Sequence, residues 1–196
     1  FTSCGSESNC WAIQGFVQNR LRKGRIPSVI TSVIEHKSIL SCVDGIGVDV
    51  HFIDVDTNGC IDLRALEDTL KYVISQKSGE DILVSIQYAN NEIGTIQHIH
   101  DIALTVHKYG AIFHTDAVQA FGHIPIDVKA SKIDMLSASG HKIGTPKAIG
   151  ILYKKEDVKI SPLIYGSQMN GLRGGTENLP YIMGFAKAVE LCSVDM

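Results

Sequence analysis

The chain is 196 residues long, 44% hydrophobic and 20% charged, with a formal net charge of −3. That is the make-up of an ordinary globular domain with enough chain to bury a substantial core. The balance, with no dense Lys/Arg stripe, argues against nucleic acid as the main partner. No segment reaches the uninterrupted apolar length of a membrane helix.

The opening stretch FTSCGSESNC lacks the basic start and long apolar run of a signal peptide. The chain does not begin with Met, so it reads as a piece of a longer protein. A helix is predicted from Glu7 to Lys23, with Ser6 as its N-cap. Gly5 permits close backbone approach there. With the Ser6 hydroxyl and the positive end of the helix it makes a candidate phosphate site, simple capping being the alternative. Ser28–Ile34 is β-branched and reads as a strand, followed by Glu35-His36-Lys37 and a short helix over Lys37–Val43. Val48–Val55 alternates as a second strand. Ile61–Ser75 sets Ile61, Leu63, Leu66, Leu70, Val73 and Ile74 near one helical face. Gln76–Asp81 reads as a surface turn. The strand Ile82–Ala89 runs into Asn90-Asn91-Glu92. The helix Ile99–Tyr109 is closed by Gly110. The strand Ala111–Ala117 carries Asp116 near its end, with Gln119 just beyond. Ile133–Ser139 leads into Gly140-His141-Lys142, and Ala148–Lys155 is the last strand. Tyr165–Asn178 is a polar, glycine-rich loop, ordered and functional or else flexible. Pro180 opens a final helix to Leu191.

Strands alternating with helices imply crossover units, hence an α/β fold with a mostly parallel sheet and helices on both faces. Ligands of such sheets sit beyond the carboxyl ends of the strands. Four strand ends carry polar residues there: His36; Asn91; Asp116 with Gln119; and Ser139, His141 and Lys142.

An amine at a strand end is a nucleophile suited to a Schiff base, although a lone lysine is usually a surface residue. A buried carboxylate at Asp116 needs a cationic partner, and the pyridinium nitrogen of pyridoxal phosphate is one. N-capping a short helix over AVQAFG is the plainer role, and the two are not exclusive. His36 could stack on a flat ring and relay protons. His51, His98, His100, His107, His114 and His123 lack such company and read as structural. The five cysteines, Cys4, Cys10, Cys42, Cys60 and Cys192, fit neither zinc spacing nor CxxC. They read as reduced thiols of a cytoplasmic or reducing organelle compartment.

The stretches FTSCGSESNCWAIQG, EHKS, YANNEIGTIQ, HTDAVQAFGHIPIDV, IDMLSASGHKIGTPKAIGILY and GLRGGTENLP span Phe1 to Pro180. In that order they resemble the class V aminotransferase superfamily, and within it cysteine desulfurases of the NifS/IscS type. The resemblance implies a fold type I large domain over residues 1–196 that binds pyridoxal 5′-phosphate. It places the cofactor on Lys142, with Asp116 at the ring nitrogen and His36 stacked on the ring. Asn91 and Gln119 would bond the ring oxygen. Gly5, Ser6, Ser139 and His141 would bind the phosphate. Thr176 would reach the phosphate of the other subunit of a homodimer, and Arg173 would shape its loop. The implied reaction converts L-cysteine to L-alanine and passes sulfur to a protein cysteine, then to an acceptor protein for iron–sulfur cluster or thio-cofactor synthesis. No metal site is implied.

Cys4-Gly5-Ser6 stands where the family has Gly-Ala/Gly-Thr, GHKIGTP shows a mild change, and YGSQMNGLRGG departs further. Family members also carry a preceding segment and a small C-terminal domain with the sulfur-accepting cysteine and a carboxylate-binding arginine. Cys192 falls too early for that cysteine, so residues 1–196 alone are expected to be inactive. Other readings are a selenocysteine lyase or related class V enzyme, an inactive scaffold of the same fold, and an unrelated phosphate-binding α/β module.

Overall fold

The computed structural model describes residues 1–195. Its centre is one six-stranded sheet in the order β2-β1-β3-β4-β5-β6. The strands are β1 (Ser28–Ser32), β2 (Asp49–Ile53), β3 (Ile82–Ser85), β4 (Ile112–Asp116), β5 (Met135–Ser139) and β6 (Gly150–Lys154). The first five are mutually parallel, and β6 runs antiparallel to β5 at one edge. The alternating pattern therefore gives the expected α/β architecture.

The period-2 rule sorts the strand residues to two helical layers. Val29, Leu83, Ile112 and Met135 point to α1 (Gly5–Leu21) and α2 (Lys37–Asp44), packing on Phe16, Ile13 and Ile39. Their neighbours Ile30, Val84, Phe113 and Leu136 point the other way. There they meet Leu66 and Leu70 of α3 (Leu63–Ile74) and Ile102 and Val106 of α4 (Ile99–Lys108). A smaller cluster lies under α6 (Leu179–Asp195), where Phe185 stacks on Phe121 with ring centroids 5.9 Å apart.

Two local expectations fail. The first helix begins at Gly5, and its N-cap is Cys4, in extended conformation and with no side-chain cap bond; Ser6 is its second residue. Gly5 explains the early start. A Cβ built there would lie 2.7 Å from Val118 Cγ2 and 3.3 Å from Ser139 Cβ, so the first turn sits hard against the β4 and β5 ends. The segment Gln76–Asp81 is no plain surface turn. It ends in a single 3-10 turn (Gly79–Asp81) whose Asp81 is buried and accepts from Arg25 Nε at 2.9 Å. Its Gly79 packs so tightly on Tyr109 that no side chain would fit.

The loop Tyr165–Asn178 is ordered. It holds a short turn, α5 (Gln168–Gly171), with Met169 and Asn170 in the left-handed region. Arg173 clamps it to the first turn of α1: Nε donates to Glu7 Oε1 at 2.9 Å and Nη2 to Oε2 at 3.1 Å. That pairing holds the Glu7 carboxyl below its ordinary range against the opposing effect of burial, the largest single influence on it.

Candidate active site

The carboxyl ends of β1, β3, β4 and β5 and the N-terminus of α1 enclose a cavity of about 240 Å³. Every sequence-predicted site residue except Thr176 lines it: Gly5 and Ser6 from α1, His36 after β1, Asn91 after β3, Asp116 and Gln119 at β4, and Ser139, His141 and Lys142 at β5.

Asp116 is the best-defined group. It is buried, and its Oδ2 accepts from Asn9 Nδ2 at 2.6 Å while Oδ1 accepts from the Val118 amide at 2.9 Å. A turn follows it, not a helix. Burial pushes its pKa up; the Val118 and Asn9 hydrogen bonds and the charge of His36 act in the opposite sense. Among the described residues no Lys or Arg pairs with it, so a charged form lacks the cation that burial demands.

His36 caps α2. Its Nδ1 accepts from the Ser38 amide at 3.1 Å and lies 2.8 Å from Ser38 Oγ. An accepting Nδ1 places the proton of the neutral ring on Nε2. Capping and a cavity role thus coexist in one imidazole.

Lys142 lies in the 3-10 turn Gly140–Ile143 that follows β5. His123, read from sequence as structural, lies with its Nε2 3.0 Å from the Lys142 carbonyl and braces this turn. Ser139 Oγ lies 2.7 Å from His141 Nδ1. Burial, followed by the charges of Lys142 and Lys147, lowers the His141 pKa and favours the neutral ring. Of the two adjacent asparagines, Asn90 is structural: its Oδ1 accepts from the Glu92 and Ile93 amides and its Nδ2 donates to the Ile34 carbonyl. Asn91 alone of the pair faces the cavity.

Thr176 is exposed and lines a separate hollow of about 250 Å³ beside Phe1, Met169 and Arg173. Sequence reasoning missed Asn9, Ser38 and Gln87 as cavity residues. The Asn9 signal was its position one turn after Gly5, on the same helical face. Gln87 gave no signal of its own, because the sequence reads it inside a strand running to Ala89, whereas β3 ends at Ser85 and leaves Gln87 beyond the sheet.

The residues fit pyridoxal phosphate on two observations. Gly5 and Ser6 line the cavity at the start of α1, and the amides of that first turn carry no side-chain cap, as an anion cradle requires. Asp116, buried without a cation, matches a pyridinium N–H. Among the described residues no cluster of three metal-ligating side chains occurs.

The family model for aminotransferase class V matches residues 1–196. A cysteine desulfurase IscS of Methanosarcina thermophila is 44% identical over 200 residues, covering 100% of this chain and 47% of that protein. One of Dictyoglomus turgidum is 42% identical, covering 100% and 48%. The chain spans about half the length of the curated relatives it matches. Among solved structures, a NifS-like protein from Rickettsia africae superposes with a TM-score of 0.88 at 37% identity, over 99% of this chain and 51% of that one. SspA in complex with cysteine gives 0.86 at 40%, over 96% and 54%.

Proposed function

The chain belongs to the aminotransferase class-V family, and we propose that it is the pyridoxal-phosphate-binding large domain of a cysteine desulfurase. One observation carries this reading. Lys142, in the turn after β5, and the cation-less Asp116, at the end of the neighbouring strand β4, line one cavity together with the uncapped N-terminus of α1. The cysteine desulfurase names of the relatives, and the cysteine bound to SspA, support the substrate.

When bound, pyridoxal phosphate supplies an electron sink for the carbon next to the amino group. The chain's own residues have distinct tasks. The first-turn amides of α1, Ser6, Ser139 and His141 hold the phosphate. Asp116 holds a positive charge at the ring nitrogen. Asn9 fixes the Asp116 carboxylate, and the Val118 amide fixes its other oxygen. Asn91 and Gln119 orient the ring by hydrogen bonds, and His36 covers it. Lys142 holds the cofactor between turnovers and moves a proton at its Nζ. His36 moves one at Nε2, since Nδ1 is engaged by α2. A cysteine outside residues 1–196 takes the sulfur and hands it to an acceptor protein.

Thr176 belongs, on this reading, to the site of a second subunit, which makes the enzyme a homodimer. No helix among the described residues is long and apolar enough to cross a membrane. The five free thiols fit a reducing compartment such as the cytoplasm.

Borohydride reduction of the full-length protein with bound cofactor, followed by peptide mapping, tests the assignment. The label should lie on the peptide carrying Lys142, and its absence there sinks the cofactor reading. Assays of alanine and sulfide with L-cysteine, run beside L-selenocysteine, then separate a desulfurase from a selenocysteine lyase and from an inactive scaffold.

A further inference from the structure

We propose that Cys10 and Cys42 form a thiol–disulfide site, in which a reversible disulfide ties α1 to α2. The two helices pack on the same face of the sheet. Cys10 Sγ lies 3.9 Å from the Ser38 carbonyl on α2, and Cys42 stands one helical turn beyond Ser38. Cys42 belongs to the buried cluster against which Cys10 packs, and within α2 its amide bonds back to the same Ser38 carbonyl that Cys10 Sγ approaches. The site is thus a pair of thiols on two rigid elements.

The roles are unequal. Cys42 is 7% exposed, whereas Cys10 is partly open to solvent. The neighbouring Cys42 thiol lowers the Cys10 pKa against the effect of burial. The Cys10 neighbour, then burial, pushes the Cys42 thiol up. Cys10 is therefore the attacking thiolate and Cys42 the resolving thiol.

The oxidant is a small-molecule disulfide. The Cys10 thiolate attacks one of its sulfurs, forming a mixed disulfide and releasing one thiolate. Cys42 then gives up its proton and attacks Cys10 Sγ, releasing the second thiol. Two protein thiols lose two electrons, and one reagent disulfide becomes two thiols. The new bond adjoins the existing link between these helices, in which Asn9 Nδ2 donates to Ser38 Oγ at 3.0 Å. Oxidation therefore fixes the spacing of two walls of the cavity. None of this depends on which cofactor or substrate the cavity takes.

The test incubates full-length protein with oxidised glutathione, blocks the remaining thiols with N-ethylmaleimide and maps peptides by mass. A control dithiol in the same buffer confirms that exchange proceeds. The wild type should yield a Cys10–Cys42 cross-linked peptide that has lost two hydrogens and is restored by reductant. Cys42→Ser should trap glutathione on Cys10, and Cys10→Ser should lose both products. A wild-type map without the cross-link, whether Cys10 is free or stays glutathionylated, overturns the proposal.

Discussion

Glu35 shows how a single residue sets the behaviour of its surroundings. Its side chain is buried, Oε1 accepts from Ser32 Oγ at 2.6 Å and the Gln87 amide at 3.0 Å, and Oε2 has no partner among the described residues. Burial raises its pKa from 4.5 to about 8, with the Asp116 carboxyl adding to the rise and the two hydrogen bonds opposing it. Between those two values the folded chain holds a proton that the unfolded chain has released. Stability from this group is therefore complete below about pH 4.5 and declines as pH rises towards 8. Glu35→Gln keeps a neutral side chain at every pH and removes the decline. Urea unfolding at a series of pH values from 5 to 8 should show the variant gaining on the wild type, by at most about 1.4 kcal/mol per pH unit. Parallel curves would mean that Glu35 is already ionised in the fold. The sequence placed Glu35 beside His36 at a strand end, but burial is a property of the packed neighbours and had no local signal.

At the scale of elements, the first turn of α1 does more than its composition suggests. Residues around most of its circumference are buried, Asn9, Ile13, Phe16 and Val17 among them, so the helix has no clean polar stripe. Its start was misread for a related reason: Ser6 looks like an N-cap, but contact with the β4 and β5 ends moved the first turn back to Gly5. At an open site with a compatible backbone, Gly→Ala stabilises by about 0.4–1 kcal/mol. At Gly5 the added Cβ meets Val118 Cγ2 at 2.7 Å, so the sign should reverse. Gly5→Ala should cost about 1–3 kcal/mol, and Val118→Ala in the same chain should recover part of it; denaturant titration reads both. A neutral or stabilising Gly5→Ala would show that the first turn yields freely. The strand ends themselves were legible, because β-branched runs broken by polar residues mark where a parallel strand leaves the sheet. Buried hydrogen-bonded pairs such as Asn9–Asp116 were not, since 107 positions separate the partners in sequence.

For the whole molecule, a parallel sheet gathers residues distant in sequence at one edge, and so Ser6, His36, Asp116 and Lys142 share a cavity. Thr176 breaks that pattern. The Arg173–Glu7 clamp fixes its loop on α1, yet Thr176 lies in a separate hollow and is exposed. A residue so placed serves either its own surface or another copy of the chain, and two-fold symmetry makes the second option testable. If each site combines Lys142 of one subunit with Thr176 of the other, then Lys142→Ala and Thr176→Ala repair each other in a mixed dimer. One site of that dimer has both residues intact, and the other has neither. Random reassortment of equal amounts makes half the dimers mixed, so about a quarter of the wild-type sites should return. Cofactor binding, measured at a concentration where each parent binds poorly, reads this recovery without requiring turnover. If Thr176 acts within its own chain, every site carrying Lys142 in the mixture lacks Thr176, and mixing restores nothing.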